Sequence, residues 1–448
     1  MRYPCQHAMR FLSRKQLGTL LFFLLALGTV YPQTLSGMPL ANQTAEDPLM
    51  GSGFSSLPAP SRSYFLGGVH VSTGAESNPS LLSTYSSQIS SVTNLLGDFS
   101  LRKFWRHFET SVDYTGGDTL YRAYGDQEFT NQQFQRFSAD GVIRWKGGQL
   151  SLKELFTYTG SRGFGSSSPG GIGNPTNPGS EFFGAAVFAP SYLGNVTVVS
   201  VAEALSRRSS VSFSAAYSFN DYINSEGLFN SRQASMQTGY TYQISRRNNI
   251  GVIYGYQDFQ FIPNVQSVVT NSAQFVFERH FSDRIDLVLG AGPDRIVTTG
   301  IISTQSQINT TGQASLMYRR RKSGLNFSYF RLVTSGSGVY AGGLSDTATI
   351  SIDRRVSRSW QATLRGSYDR ASGLGVSSFG AQLPQSKYWL AGVTVHRRLG
   401  RSLSAFASYE FNNDSFLTCA GFQRCGPAAN RNAILTGFDW SIRPVHLE

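Results

Sequence analysis

Charged side chains are scarce in this sequence, and so are long hydrophobic segments. Only 15% of the 448 residues are charged, yet the mean hydropathy is slightly negative at −0.19. After the N-terminal region, no apolar run reaches the roughly 20 residues that a transmembrane helix needs. The sequence therefore excludes a multispanning helical membrane protein. A soluble β-protein remains an alternative, although such a protein usually carries more charge on its exposed faces.

Acidic residues are fewer than basic ones, 27 against 39, so the formal net charge is +12. An excess of this kind can indicate nucleic-acid binding. Here, roughly half of the lysines and arginines fall in short segments that have the pattern of turns. If those turns lie at one face of a membrane, their side chains meet lipid phosphates. We therefore interpret the basic residues as a belt of side chains that contacts lipid headgroups, and we predict no nucleic-acid partner.

Cysteine is nearly absent, with three in the whole chain. Cys5 precedes the N-terminal apolar run and is expected to be removed with it. Cys419 and Cys425 lie in a loop that contains glycine and proline, and they are candidates for a small loop disulfide in an oxidising compartment. A zinc site would need further ligands nearby in the sequence, and none is present there.

Histidine is also rare, and the six histidines show no metal-ligand spacing. They are His7, His70, His107, His280, His396 and His446. The pattern places His107, His280 and His396 in basic turns, and His70 in the middle of a strand, pointing inward. No glycine-rich loop has the phosphate-binding pattern in front of a helix. We predict no catalytic residue, no metal site, no cofactor and no enzymatic activity.

Two-residue periodicity is the pattern that the sequence has in abundance. Residues 396–411 read HRRLGRSLSAFASYEF, in which a basic turn precedes a run with Leu403, Ala407 and Tyr409 on one face and mostly serine on the other. Such alternation is typical of a β-strand. The same cassette begins near residues 101, 144, 205, 244, 279, 318 and 353. A motif that returns every ~35 to ~60 residues indicates a repeated unit, here a hairpin with a short basic turn.

These hairpins predict an all-β fold, namely a transmembrane antiparallel up-and-down β-barrel of about 18 strands, with 16 as the alternative. The first strand is predicted over 64–73, its partner over 89–102 and the last strand over 431–443. An even strand number puts both ends of the barrel beside the short turns, with longer loops at the other end. Seven tyrosines recur about ten residues past a basic turn and suit an interfacial aromatic girdle. They are Tyr114, Tyr158, Tyr217, Tyr256, Tyr329, Tyr368 and Tyr409.

The N-terminal region has the pattern of a targeting segment. Residues 1–36 predict a secretory signal peptide, with basic residues from Arg2 to Lys15 and an apolar core from Leu17 to Val30. Residues 37–62 are rich in Pro, Ser and Gly without periodicity, and predict a flexible leader. The barrel is then assigned to residues 63–448.

The final strand, AILTGFDWSI, resembles the C-terminal strand signal of bacterial outer-membrane β-barrels. Gly437, Trp440 and Ile442 carry this resemblance. Six residues follow the strand, where that signal normally ends the protein, and Leu435 stands where a polar residue is usual. The resemblance, which concerns architecture, implies that the outer-membrane insertion machinery handles the chain and that the leader and both termini are periplasmic.

The connection over 161–192 resembles, in position and length, the outer loop that folds into the barrel of porins and narrows the pore. Its candidate constriction residues are Glu181, Phe182 and Phe183. Porin loops usually carry more acidic residues than this one. A plain surface loop is therefore an equal alternative.

The inward positions of the strands carry any ion selectivity, because rings of charge tune conduction through pores. The candidates of both signs are Glu109, Asp113, Arg136, Asp140, Arg144, Lys153, Asp286, Arg365 and Asp369. The alternative is that these groups simply pair across neighbouring strands. Phe330, Phe406 and Trp389 are candidates for an aromatic track in the lumen. Glu154 falls on the predicted lipid face, so either a β-bulge shifts the register there or protein covers the strand.

The pattern as a whole predicts a porin-like outer-membrane channel for passive diffusion of small hydrophilic solutes. Two alternatives stay open: an export or binding barrel, for example for exopolysaccharide, working with periplasmic partners, and a closed structural or adhesive barrel. The predicted partners are outer-membrane lipids, the insertion machinery, small hydrophilic solutes and, as a possibility, further copies of the chain.

Overall fold

A computed structural model describes the chain in twelve segments. They are residues 63–77, 89–123, 130–159, 168–172, 181–184, 191–223, 229–262, 266–300, 303–334, 342–374, 385–418 and 429–447. The predicted signal peptide, the leader and the candidate disulfide Cys419–Cys425 lie outside these residues.

All regular structure in the described segments is β-strand. The strands are β1 Tyr64–Ser77, β2 Ile89–Phe104, β3 Phe108–Ala123, β4 Thr130–Arg144, β5 Gly148–Thr159, β6 Ser168–Ile172, β7 Glu181–Gly184, β8 Tyr192–Ala204, β9 Ser209–Tyr222, β10 Asn230–Ser245, β11 Asn248–Ile262, β12 Gln266–Ser282, β13 Ile285–Gly300, β14 Thr304–Arg320, β15 Ser323–Thr334, β16 Gly343–Arg355, β17 Trp360–Gly373, β18 Gln385–Arg398, β19 Leu403–Thr418, β20 Ala429–Ser441 and β21 Val445–His446. Eighteen of them close into one barrel, as the repeated cassette predicts.

Each barrel strand pairs with the next in antiparallel register, and β20 pairs with β1 to close the ring. Turns of two to four residues join the strands at one end, which we call the short-turn end. At the other, long-loop end, most connections are longer, although 263–265 and 301–303 are only three residues each. Strand β1 begins and β20 ends at the short-turn end, as the even strand number predicts.

The two faces of the barrel wall differ in polarity. Along β10, Met236 is 54% exposed on the outward face, while the neighbouring Gln233 and Ser235 are buried on the inward face. The cross-strand register continues this division around the ring, and all seven girdle tyrosines lie on the outward face. An apolar exterior around a polar interior is the arrangement of a transmembrane barrel and the reverse of a soluble sandwich.

Aromatic side chains form a row on the outward face. Tyr329, Tyr368 and Trp389 lie at one level, with Ala348 between the first two, and the rings of Tyr368 and Trp389 are 4.3 Å apart. Trp389 is 52% exposed, so its assignment to a lumen track is wrong, because its position in β18 has the outward parity. Phe406 is buried on the inward face, where the sequence pattern places it.

Glu154 lies on the outward face, and the register of β5 with both of its neighbours is continuous. A β-bulge is therefore not the explanation for its position. Asn195 Nδ2 donates to one carboxylate oxygen at 2.5 Å and Thr197 Oγ1 to the other at 2.6 Å. These hydrogen bonds satisfy the carboxylate on a face where an isolated charge is costly. That protein covers this strand stays a prediction.

The short-turn end carries a belt of exposed cations. Arg208, Arg247 and Lys322 lie in its turns, and arginines at the strand ends extend the belt. Some of these guanidinium groups lie over aromatic rings, as with Arg397 over Trp360, 5.4 Å from the ring centroid. An aromatic ring with a cation above it is typical of a membrane interface, where the ring lies in the apolar edge and the charge lies among headgroups.

The seam between β1 and β20 joins the first and last barrel strands. On its inward side, His70 Nδ1 contacts Asp439, and Arg431 contacts the fully buried carboxylate of Glu76. A histidine–carboxylate contact and an arginine–glutamate ion pair therefore link the strands that no turn connects. The backbones also approach closely, because a Cβ on Gly74 would lie 1.8 Å from the carbonyl oxygen of Ile434.

Within the described residues, no helix is long and apolar enough to cross a membrane.

Candidate functional site in the barrel lumen

The register of the strands places every predicted selectivity residue on the inward face. These residues are Glu109, Asp113, Arg136, Asp140, Arg144, Lys153, Asp286, Arg365 and Asp369. Their faces agree with the sequence analysis because the alternation along their own strands is continuous; only Asp286 lies beside a register shift, between its partner His280 and Ser282 in β12. Their role in selectivity stays a prediction.

Strands β3, β4 and β5 bring most of the candidates together near the short-turn end. Glu109 contacts Arg144 at 2.9 Å and Arg102, from β2, at 3.6 Å. Lys153 Nζ lies 4.0 Å from Asp140 Oδ1, directly across the β4–β5 pair. These distances fit cross-strand pairing, the alternative left open by the sequence. The same network forms a patch of mixed charge on the lumen wall.

The other acidic candidates lie elsewhere. Asp286 is next to the turn that precedes β13, where Arg319 Nη2 donates at 2.6 Å and His280 Nδ1 is at 2.7 Å. Asp369 is buried on β17, where Ser345 Oγ donates to it at 2.6 Å and Thr347 Oγ1 at 2.5 Å. Asp286 therefore lies at the rim of the barrel, at its short-turn end. Asp369 lies within the wall, where two hydroxyl groups donate to its carboxylate.

Sequence reasoning missed a cluster around Asp439. His70 stacks on Phe406 with centroids 4.9 Å apart, and His396 Nδ1 lies 3.8 Å from Asp439 Oδ2. The placement of His396 in a basic turn is wrong, because it is the third-last residue of β18 and points inward, 7% exposed. The one indication of this cluster in the sequence is the alternation that places His70 on the inward face. Its partner Asp439 is 369 residues away in the chain, so no local pattern connects the two.

The chemistry of this cluster does not resemble a nucleophilic centre. Its serine, Ser404, donates its hydroxyl to Asp439 Oδ2 at 3.3 Å rather than to a histidine, whereas a serine nucleophile needs a base within hydrogen-bond reach. Across the part of the chain that the structure describes, no group of three or more His, Cys, Asp or Glu side chains is placed to hold a metal ion. The cluster ties four strands together at the seam.

Inside the long connection between β5 and β8, strands β6 and β7 form a hairpin of their own, with Ser168 opposite Gly184. Cα atoms of β6 come within 8 Å of β9 and β15, and those of β7 within 8 Å of β17. Since β9 and β17 are eight strands apart in the ring, only a segment that crosses the lumen or its mouth reaches both. For Glu181, Phe182 and Phe183 the structure describes the backbone alone.

An apolar cluster lies inside the long-loop end of the barrel. Its buried members are Phe259, Phe261, Val268, Ile296, Val333 and Leu374. Gly342, whose φ is +78°, packs against it: a Cβ there would lie 3.1 Å from Val268 Cγ2. Because Gly342 precedes β16 and Val268 is in β12, the wall is drawn inward here and the long-loop end is narrowed.

The wall next to the charged patch, beyond the β5–β8 pair, is neutral. In the described parts of β8, β9, β10 and β11, no charged side chain lies on the inward face. We call four of these side chains the neutral strip: Ser214, Gln233, Ser235 and Gln237. Each has a buried polar atom without a hydrogen-bond partner, and Gln233 has two. A buried polar group left unpaired costs about 1–3 kcal/mol, so the strip has unused hydrogen-bonding capacity.

No protein-family model and no curated protein matches the chain. Among solved structures, the FrpB iron transporter from Neisseria meningitidis (F5-1 variant) is similar with a TM-score of 0.41 and 11% identity, over 82% of this chain and 65% of that one. OccK9 (OpdG) from Pseudomonas aeruginosa is similar with a TM-score of 0.41 and 10% identity, over 85% of this chain and 98% of that one.

The ferric-catecholate import receptor Fiu from E. coli K12 is similar at a comparable level, with a TM-score of 0.42 and 9% identity over 86% of this chain and 82% of that one. The assignment of the fold rests on this chain's own strands: eighteen in number, closed by β1 and β20, apolar outside and polar inside. In architecture the chain is a transmembrane antiparallel β-barrel of the bacterial outer-membrane type.

Proposed function

We propose that the chain is an outer-membrane channel through which small hydrophilic solutes diffuse passively. The observation that carries the proposal is the closed 18-strand ring with a polar inward face, since barrels of about 16–18 strands can hold an aqueous channel. The neutral strip and the charged patch would form neighbouring parts of a water-lined wall. The β6–β7 hairpin and the apolar cluster would narrow the path at the long-loop end.

The orientation belongs to the same proposal. The short-turn end, with both ends of the barrel, would face the periplasm, and its cation belt would meet the phosphates of the inner leaflet. Insertion would use the barrel insertion machinery. A non-enzymatic role without a cofactor is also part of the proposal.

The test is single-channel recording of the refolded chain in a planar bilayer. Large, steady conductance steps are expected, because a polar lumen enclosed by 18 strands can hold a water-filled path for hydrated ions. Correct insertion is checked separately, by the heat-dependent electrophoretic mobility of the folded barrel and by its resistance to protease. A correctly inserted barrel that never conducts would contradict the proposal.

A second candidate, a closed structural barrel, is favoured by the buried apolar cluster in the long-loop half. Hydrophobic constrictions can block ion flow by excluding water. The same recordings decide between the two candidates. A structural barrel stays silent both in its wild-type form and in the variant Phe261→Ser. A channel conducts in its wild-type form, and its conductance rises in the variant, because the apolar constriction is then wetted.

The charged patch leads to a prediction on ion selectivity. Replacing Lys153 with glutamine removes the cation beside Asp140, so the lumen wall becomes more acidic. In a salt gradient, the reversal potential is expected to move by several millivolts toward cation selectivity. Lys146→Gln, in the exposed turn between β4 and β5, is the matched control and should leave the potential unchanged. Equal shifts in the two variants would contradict a role for the patch.

A further inference from the structure

We propose that the neutral strip on β9 and β10 binds an uncharged solute rich in hydroxyl groups, of the saccharide or polyol class. The inference deepens the proposed channel function, on which it rests, by naming the class of solute that the wall holds. The strip is contiguous: Ser214 is directly opposite Gln237 in the register of the two strands, and Gln233 and Ser235 follow on the same face of β10.

Hydrogen-bonding capacity is the first argument. Gln233 is 2% exposed and neither its amide nitrogen nor its amide oxygen has a partner. The hydroxyls of Ser235 and Ser214, 2% and 3% exposed, are unpaired as well. Buried polar side chains normally bind a protein group or water. Because no protein group binds these atoms, they are available to a molecule that enters the lumen and replaces water. Amide and hydroxyl groups offer both donors and acceptors, and so does a sugar hydroxyl.

The charge distribution is the second argument. A charged solute against the strip would lose water without meeting an opposite charge, because the described inward faces of β8–β11 carry none. Burial of an unpaired charge is strongly unfavourable. An uncharged solute avoids this cost, and the charged patch on β3–β5 remains available to ions.

The third argument is the pair of aromatic side chains that lie buried beside the strip. Phe259 on β11 is directly opposite Gln233, and Phe261 is directly opposite Ser231. A few fixed polar groups next to aromatic side chains are typical of small-molecule sites. The strip is buried in this structure, so entry requires movement in front of it. The β6–β7 hairpin, which approaches β9, is the element placed to make that movement.

The test measures binding of maltose to the refolded full chain by isothermal titration calorimetry. Gln233→Leu is expected to weaken binding by about tenfold, because it removes both unpaired amide atoms. Gln132→Leu is the matched control, since Gln132 is likewise buried and unpaired but lies on β4, outside the strip. Ser235→Ala provides a second, smaller change in case Gln233→Leu fails to fold. Maltobionate, which carries a carboxylate, tests the preference for an uncharged solute.

Three results would overturn the inference: no maltose binding by the wild-type chain, equal weakening by Gln132→Leu and Gln233→Leu, or maltobionate binding as tightly as maltose. Channel recordings separate this inference from the proposed function. A barrel that conducts salt but does not bind maltose contradicts the inference alone. A barrel that binds maltose at the strip without conducting contradicts the channel alone.

Discussion

Replacing Arg431 with methionine is expected to lower the free energy of unfolding of the refolded barrel by about 3–5 kcal/mol. Arg431 is the buried cation that contacts the fully buried carboxylate of Glu76 across the β1–β20 seam. Without it, the carboxylate stays in the wall without its cation partner. Because the stabilising contact is lost where the barrel closes, the folded form of the variant should unfold at a lower temperature. The change is visible as the heat-dependent shift of the band in gel electrophoresis. Urea unfolding in lipid vesicles measures the change.

The double variant Glu76→Leu, Arg431→Met separates the lost charge pair from the lost volume. Replacing both partners of a buried ion pair by apolar side chains is often nearly neutral, so much of the stability should return. Arg232→Met on the outward face of β10 is the control for the substitution itself, because Arg232 is exposed. If Arg431→Met is no more destabilising than Arg232→Met, the seam pair does not hold the barrel closed.

The strand pattern could be predicted from the sequence because it depends on local information. Alternation and basic turns predict the number of strands, and the alternation along each strand predicts that Lys153, Asp140 and the other selectivity candidates lie on the inward face. Errors arose where local features were ambiguous. His396 is close to three arginines in the sequence, a pattern that predicts a turn, although β18 extends two residues past it.

The seam could not be predicted in the same way. Glu76 and Arg431 are separated by most of the chain, and their contact depends on which residues of β1 and β20 face each other after closure. Alternation determines the face of a residue but not its height relative to a distant strand. The neutral strip poses the same difficulty, because the absence of a hydrogen-bond partner is visible only when all neighbours are in place.

Replacing Gly74 with alanine is expected to prevent tight closure of the barrel. A Cβ at this position of β1 would lie 1.8 Å from the carbonyl oxygen of Ile434 and 2.9 Å from the Cα of Leu435, both in β20. These contacts are with backbone, which cannot rotate away, so the two strands must separate and lose hydrogen bonds near this point. Overpacking usually costs about 1–3 kcal/mol, and a backbone clash at the seam is expected to reach at least the upper end of that range. Refolding yield and the unfolding midpoint in urea measure it.

Gly97→Ala on β2 is the matched control, because the nearest atoms to a Cβ there are 4.0 Å away. The alanine should be tolerated and should even stabilise by about 0.4–1 kcal/mol through the loss of unfolded-state freedom. Gly437→Ala should resemble Gly74→Ala, since a Cβ on Gly437 would lie 2.4 Å from the carbonyl oxygen of Val71 across the same seam. If Gly74→Ala and Gly97→Ala refold with the same yield and midpoint, the close approach of β1 and β20 is not a requirement for closure. If both seam variants fail while Gly97→Ala folds, glycine is needed on each side because first and last strand meet with no room for a side chain between their backbones.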